Sequence, residues 1–200
     1  MRSTGSLFLS TLIIAAAFGS VCAQRRGDRP PPPRDPQFYA SRNQLEDFEA
    51  RMETVLIKGR TYVGTVRAQN GTARVEATEI RDTGNSARAA GVVVTIFADG
   101  GPPGEIRALI DYDEVEPLLK AFDTAAKADE SITKLTHYEV RYRTKADFEI
   151  LIYKQANGLI ATAVEGGYFD RSRLTLALDD FIKLRWFISQ AKDKLDELSK

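Results

Sequence analysis

The chain has 200 residues, 43% of them apolar, with 28 Lys and Arg against 28 Asp and Glu, one Cys and one His. That length suits one domain or two small ones, and the even charge excludes a strongly basic polyanion binder and a long acidic tail. One Cys and one His exclude disulfide frameworks, most metal cages and His-based triads.

Residues 1–23 read as a secretory signal peptide. Arg2 supplies the positive start, Leu7 to Phe18 is apolar except for Ser10 and Thr11, and Val21 and Ala23 are small residues before Gln24. The run falls short of the about 20 apolar residues of a spanning helix. Lipidation at Cys22 and an uncleaved anchor are the alternatives, although Gly19-Ser20-Val21 lacks the Leu and small residue a lipidation site prefers. Cleavage after Ala23 leaves no cysteine and 27 basic against 28 acidic residues. The mature chain is expected to be exported, periplasmic or extracellular, and stabilised by its core alone.

Residues 24–40 contain Arg25, Arg26, Arg29 and the run Pro30 to Pro33, then Arg34-Asp35-Pro36. Consecutive prolines favour an extended tether with no buried face, a Pro-rich recognition peptide being the sharper alternative. From residue 37 onward, 23 basic residues face 26 acidic ones, a net charge of −3.

Residues 41–200 are expected to form one globular domain of two similar halves, about 54–128 and 136–198. Asn43 or Ser41 can cap a short helix carrying Leu45, Phe48 and Met52. Strand character begins near Thr54, with a kink expected at Gly59, and Asn70-Gly71 signals a tight hairpin. Gly91 to Phe97 and Glu105 to Ile110 supply two more strands around the turn Asp99 to Gly104. Val115, Leu118, Leu119, Phe122 and Ala126 trace a helical stripe. The order then recurs: Tyr138 to Tyr142, Phe148 to Tyr153, a turn at Asn157-Gly158, Leu159 to Val164, Arg173 to Leu178 and a long closing helix.

A shift of 66 residues matches Arg107 with Arg173, Ile110 with Leu176, Val115 with Phe181, Leu118 with Leu184 and Phe122 with Ile188. The same shift matches Val93-Val94 with Leu159-Ile160. The expected fold class is α+β, with antiparallel sheets and two helices in a pseudo-twofold tandem ββββα arrangement, each helix covering one sheet face. This order, over residues 54–198, resembles the Whirly-type single-stranded-DNA-binding proteins, whose fold is two ββββα units. No Whirly motif is present, so no functional residue carries over. Ile110-Asp111-Tyr112-Asp113-Glu114 and Tyr142-Arg143-Thr144-Lys145 resemble phrases of uncharacterised exported bacterial proteins, which implies location alone.

The acidic run Asp111, Asp113, Glu114, Glu116 invites a calcium or acid-base reading. Helix capping explains it better, with Asp113 where the helix starts and Pro117 in the opening turn. Asp179-Asp180 does the same for the closing helix. Ser131 to Lys134 and Ser189 to Lys192 match S-x-x-K, but the partner motifs of penicillin-binding enzymes are missing. The sole His, His137, reads as a structural or surface residue. Asn70-Gly71-Thr72 matches a glycosylation acceptor.

Tyr62, Tyr138, Tyr142, Tyr153 and Tyr168, with Arg67, Arg74, Arg141 and Arg143, are candidates for a ligand surface in which rings stack and guanidinium groups meet phosphate, Tyr138, Tyr142, Arg141 and Arg143 foremost. Neighbouring Glu139 and Glu149 weaken the field that attracts a polyanion. On the closing helix Phe181, Leu184, Ile188, Ala191, Leu195 and Leu198 form a stripe expected to face the sheet. Trp186, the only Trp, lies with Ile182 about half a turn from it, as Lys120 does in the first half. The two candidate roles are packing beneath the first helix and an interface.

Taken together, the residues favour an exported, non-enzymatic binding or structural module without a cofactor. The partner is expected to be another protein, or a second copy held through the closing helix. The composition argues against nucleic acid, and no segment of the mature chain reads as transmembrane. The alternatives are a single-stranded nucleic-acid-binding domain and a carboxylate-based hydrolase.

Overall fold

The computed structural model describes residues 43–100, 105–129, 131–168 and 171–198. The expected signal peptide, the Pro-rich tether and the Pro102-Pro103 part of one turn lie outside the described residues. Asn43 caps helix α1 (Gln44–Glu49), its side-chain oxygen accepting the Glu46 N–H at 2.9 Å. The helix ends before Met52, which stands exposed.

Strands β1 (Leu56–Ala68), β2 (Gly71–Asp82), β3 (Arg88–Ala98) and β4 (Ile106–Asp111) lead into α2 (Tyr112–Ala126). Strands β5 (Glu139–Arg143), β6 (Glu149–Lys154), β7 (Ile160–Gly166) and β8 (Ser172–Leu176) lead into α3 (Leu178–Glu197). Each set of four strands is its own antiparallel sheet, with neighbours in chain order. The fold is therefore α+β, and the order ββββα occurs twice behind the short α1.

Gly59 does not kink β1: it pairs regularly with Glu79. The irregularity falls between Tyr62 and Gly64, where Val63 is the extra residue. That extra residue reverses the alternation of faces. Tyr62, opposite Glu76, points outward, whereas Gly64 and Val66, opposite Val75 and Ala73, point to the core.

One core joins both sheets. It gathers Val75, Val94 and Ile110 of the first sheet, Ile150, Val164 and Leu174 of the second, and Leu118, Phe122, Phe181 and Leu184 of the helices. The Phe122 and Phe181 rings lie 4.7 Å apart. The helices do not each cover one sheet. α3 lies mainly on β1 and β2 of the sheet it does not follow, and α2 touches β3, β4, β5 and β6. Sharing both helices in this way is what makes one core out of two sheets.

The 66-residue shift holds where β4 and β8 enter their helices. The N-caps Asp111 and Ala177 stand 66 apart, and the matched residues Val115 and Phe181, Leu118 and Leu184, and Phe122 and Ile188 are all buried. Upstream it fails. Ile96 pairs with Ile106, ten residues on, but Gly166 pairs with Ser172, six residues on. The longer β3–β4 connection thus places Val94 in correspondence with Val164, not Ile160.

The outer faces of the two sheets differ. On the first, α1 lays Leu45 and Phe48 over Ile80, Val93 and Leu109. Gly91 admits this approach: a Cβ there would lie 2.7 Å from Leu45 Cδ1 and 2.1 Å from the Ile110 carbonyl oxygen. On the second, the outer face carries ionised side chains.

Candidate interaction surfaces

The inner side of α3 buries Phe181, Leu184, Ile188, Ala191 and Leu195. Leu198, expected to continue that stripe, is instead the exposed C-cap beyond the last helical turn. Four-residue spacing aligns Leu178, Ile182 and Trp186 along the opposite side. They are 48%, 47% and 53% exposed. Trp186 does not sit beneath α1, which packs on β2, β3 and β4. Its ring leans on Phe187, 5.1 Å between centroids. Phe187 in turn fills the space above Gly64, where an added Cβ would lie 2.2 Å from the ring.

Charged groups border this row. Asp179 and Lys183 are exposed, and among the described residues neither has an ion-pair partner. The Lys183 ammonium lies 5.8 Å above the Phe187 ring. Arg185, on the other flank, holds Asp123 of α2 through two hydrogen bonds of 2.7 Å. At the start of α3 the row meets a cleft of 340 Å³ that Leu178 lines together with Leu159, Ile160, Ala161 and Thr175. Leu159 and Ile160 are themselves 65% and 47% exposed.

The four residues of the candidate Tyr-Arg surface fall on two faces. Tyr138 and Tyr142 pack half-buried against the core, and Tyr142 faces a groove shared with Ala121 and Pro117 of α2. Arg141 and Arg143 point to the outer face, because strand residues alternate. There they meet Glu149, whose side chain is fully buried. Arg143 Nε donates to its Oε2 at 2.7 Å, Arg171 donates to the same oxygen at 2.8 Å, and Arg141 Nε lies 3.0 Å from Oε1. Burial pushes the Glu149 carboxyl up, but the hydrogen bonds of Arg171 and Arg143 and the nearby charges outweigh it and hold the pKa below its ordinary value.

Glu165 forms ion pairs with Arg171 and Arg173 at 3.0 and 3.2 Å, and Arg173 lies 4.9 Å over the Tyr153 ring. Glu139 and Asp147 pair with Arg141 and Arg143 at the rim. The ring beside these arginines is thus Tyr153, one of the wider set of strand tyrosines. The strand pattern did not single out Arg171, just before β8.

The acidic run serves the backbone. Asp111 is the N-cap of α2, two residues earlier than the Asp113 expected from sequence, and Pro117 lies inside the helix. Its carboxylate accepts the Gln44 and Leu45 N–H groups of α1 at 2.7 and 3.0 Å. Glu114 accepts the Lys145 N–H at 2.7 Å, and its burial raises its pKa above the ordinary value. Asp113 pairs with Lys145, and Glu116 with Lys120. These carboxylates tie α1, α2 and the β5–β6 turn together.

The remaining motifs are also engaged in structure. Lys192 of the second S-x-x-K match pairs with Asp196 at 2.8 Å. His137 is exposed, two residues ahead of β5. The Asn70 side chain donates to the Arg173 carbonyl and accepts the Thr175 N–H, which ties the first hairpin to β8.

No protein-family model, curated protein or solved structure matches this chain. Among the described residues, no helix is long and apolar enough to cross a membrane. Also among them, no group of three His, Cys, Asp or Glu side chains is placed to hold a metal ion.

Proposed function

We propose that this chain is an exported binding or structural module that acts by surface contact, with the outer row of α3 as its contact face. One observation carries the reading. Leu178, Ile182 and the sole Trp stand half exposed in line on a helix whose opposite side is buried. Such a row adds little to the fold and costs solubility, and a large aromatic among smaller apolar residues is the usual anchor of an interface. Export rests on the signal-like residues 1–23.

The test is photo-crosslinking from a benzophenone amino acid at position 186 in producing cells, with mass analysis of the exported chain. The expected chain begins at Gln24, and a discrete adduct forms from position 186 but not from position 120. A chain that keeps residues 1–23 removes the export reading; the absence of any adduct removes the contact reading.

A second reading, single-stranded nucleic-acid binding, draws on the outer face of the second sheet. Arg141, Arg143, Arg171 and Arg173 gather there beside Tyr153. Glu139, Asp147, Glu149 and Glu165 balance them, so binding should be weak and fade steeply with salt. A labelled oligonucleotide titrated at low ionic strength decides it, and no binding there sinks this reading.

A further inference from the structure

We infer that the occupant of the α3 row is a second copy of this chain, laid antiparallel across the first. The inference rests on the contact-face reading above and names the partner of that face.

The argument begins with the order of side chains along the helix. An antiparallel pair with its twofold axis at Ile182 sets Ile182 against Ile182 of the second copy, and Leu178 against Trp186 of the second copy. In such a pair the same flank of each helix meets its counterpart with the direction reversed. Asp179 and Lys183 share one flank, about one turn apart. Asp179 therefore comes beside Lys183 of the second copy, and the symmetry axis makes that pairing twice.

These are the two exposed charges beside the row that no described ion pair uses. On the opposite flank Arg185 is already neutralised by Asp123. A parallel copy would stack Trp186 on Trp186 and give Asp179 no cation at its own height. With the axis at Ile182 the two Lys183 also meet at about the same height. The antiparallel orientation therefore sets two Asp179–Lys183 attractions against one Lys183–Lys183 repulsion, whereas the parallel one gives Asp179 no cation.

The cleft favours the same arrangement. Trp186 of the second copy arrives at Leu178, on the rim of the 340 Å³ cleft that Leu159 and Ile160 also line. The large ring thus meets the cleft that borders the row. Covering Leu159, Ile160, Leu178, Ile182 and Trp186 on both copies removes on the order of 1,000 Å² from water, the low end for a specific interface. The expected product is a reversible dimer with a dissociation constant in the micromolar range.

Sedimentation of the mature chain over about 1 to 500 µM should show monomers passing to dimers. Asp179→Lys and Lys183→Asp should each weaken the dimer by about tenfold, because each places like charges in both pairings. An equimolar mixture of the two variants should recover dimers of wild-type strength, since each supplies the sign the other lacks. Both positions are exposed, and an unchanged melting curve at low concentration verifies the fold of each variant.

A wild-type chain that stays monomeric throughout overturns the inference. A mixture no tighter than the stronger variant alone overturns it too. If position 186 then crosslinks to a different protein, the contact face survives and only the second copy falls. No crosslink from position 186 removes both.

Discussion

Ala121 of α2 and Phe187 of α3 stand 66 residues apart in matching turns of their helices, yet they handle the neighbouring edge strand in opposite ways. Phe187 supplies the bulk, and β1 answers with Gly64. On the other side Ala121 is small, and β5 supplies the bulk with Tyr142 in the groove they share. Bulk comes from the helix at one contact and from the strand at the other. The adjacent pair, Lys120 and Trp186, has no such compensation. Both point away from the core, so their difference belongs to the surface and not to packing.

The largest expected effect tests whether the two sets are one unit. Phe181 is buried against Phe122 in the common core. Phe181→Ala should cost about 3–5 kcal/mol. Far-ultraviolet circular dichroism and Trp186 fluorescence should still report a single unfolding transition. Two separate transitions would contradict a shared core.

The contrast between the two outer faces can be broken with pH. Leu45→Ala, under α1, should cost about 2–4 kcal/mol at every pH where the chain folds. Glu149→Gln should cost about 1–3 kcal/mol at neutral pH, a range reduced because its arginines are more than a third exposed. The Glu149 pKa is lowered in the folded state, so its contribution is complete above about 4.5 and is lost as pH falls through the lowered value. The wild-type chain should therefore lose stability below about pH 4.5, and Glu149→Gln should flatten that decline. Parallel declines in denaturant titrations would show that Glu149 is not the group responsible.

A smaller effect tests the exchange of bulk. Gly64→Ala should cost about 1–2 kcal/mol, because the ring of Phe187 must shift. Adding Phe187→Ala should make the Gly64 substitution nearly neutral in a double-mutant cycle. Strict additivity would mean that the two positions do not compensate each other. Smallest of all, Trp186→Lys should leave the stability of the dilute monomer within about 0.5 kcal/mol.

Much of this fold is legible in the residues. The hairpin at Asn70-Gly71, the buried helical positions and the two strand-to-helix junctions all follow from local spacing. The bulge at Val63 does not, since nothing in Tyr62-Val63-Gly64 shows which face must turn toward α3. Nor does the exchange of helices between sheets, which depends on how two apolar faces meet in space. The row on α3 is half legible. Trp186 and Ile182 stand out by their angle, and Leu178 lies one more step of four along the same line. Leu159 and Ile160 join it only because β7 begins beside the start of α3. The Arg-Glu network shows the same divide. Alternation along β5 separates Tyr142 from Arg141, but the meeting of Arg171 with Glu149 requires the sheet.

Trp186 is the only Trp in the chain, so its own emission reports whether the outer row of α3 is covered. The direct measurement is the fluorescence maximum of the mature chain as its concentration rises. The account predicts a shift to shorter wavelength along the dimerisation curve seen in sedimentation, displaced to about tenfold higher concentration in the Asp179→Lys variant and restored when Lys183→Asp is mixed in. An emission that stays that of a solvent-exposed indole at every concentration would contradict it.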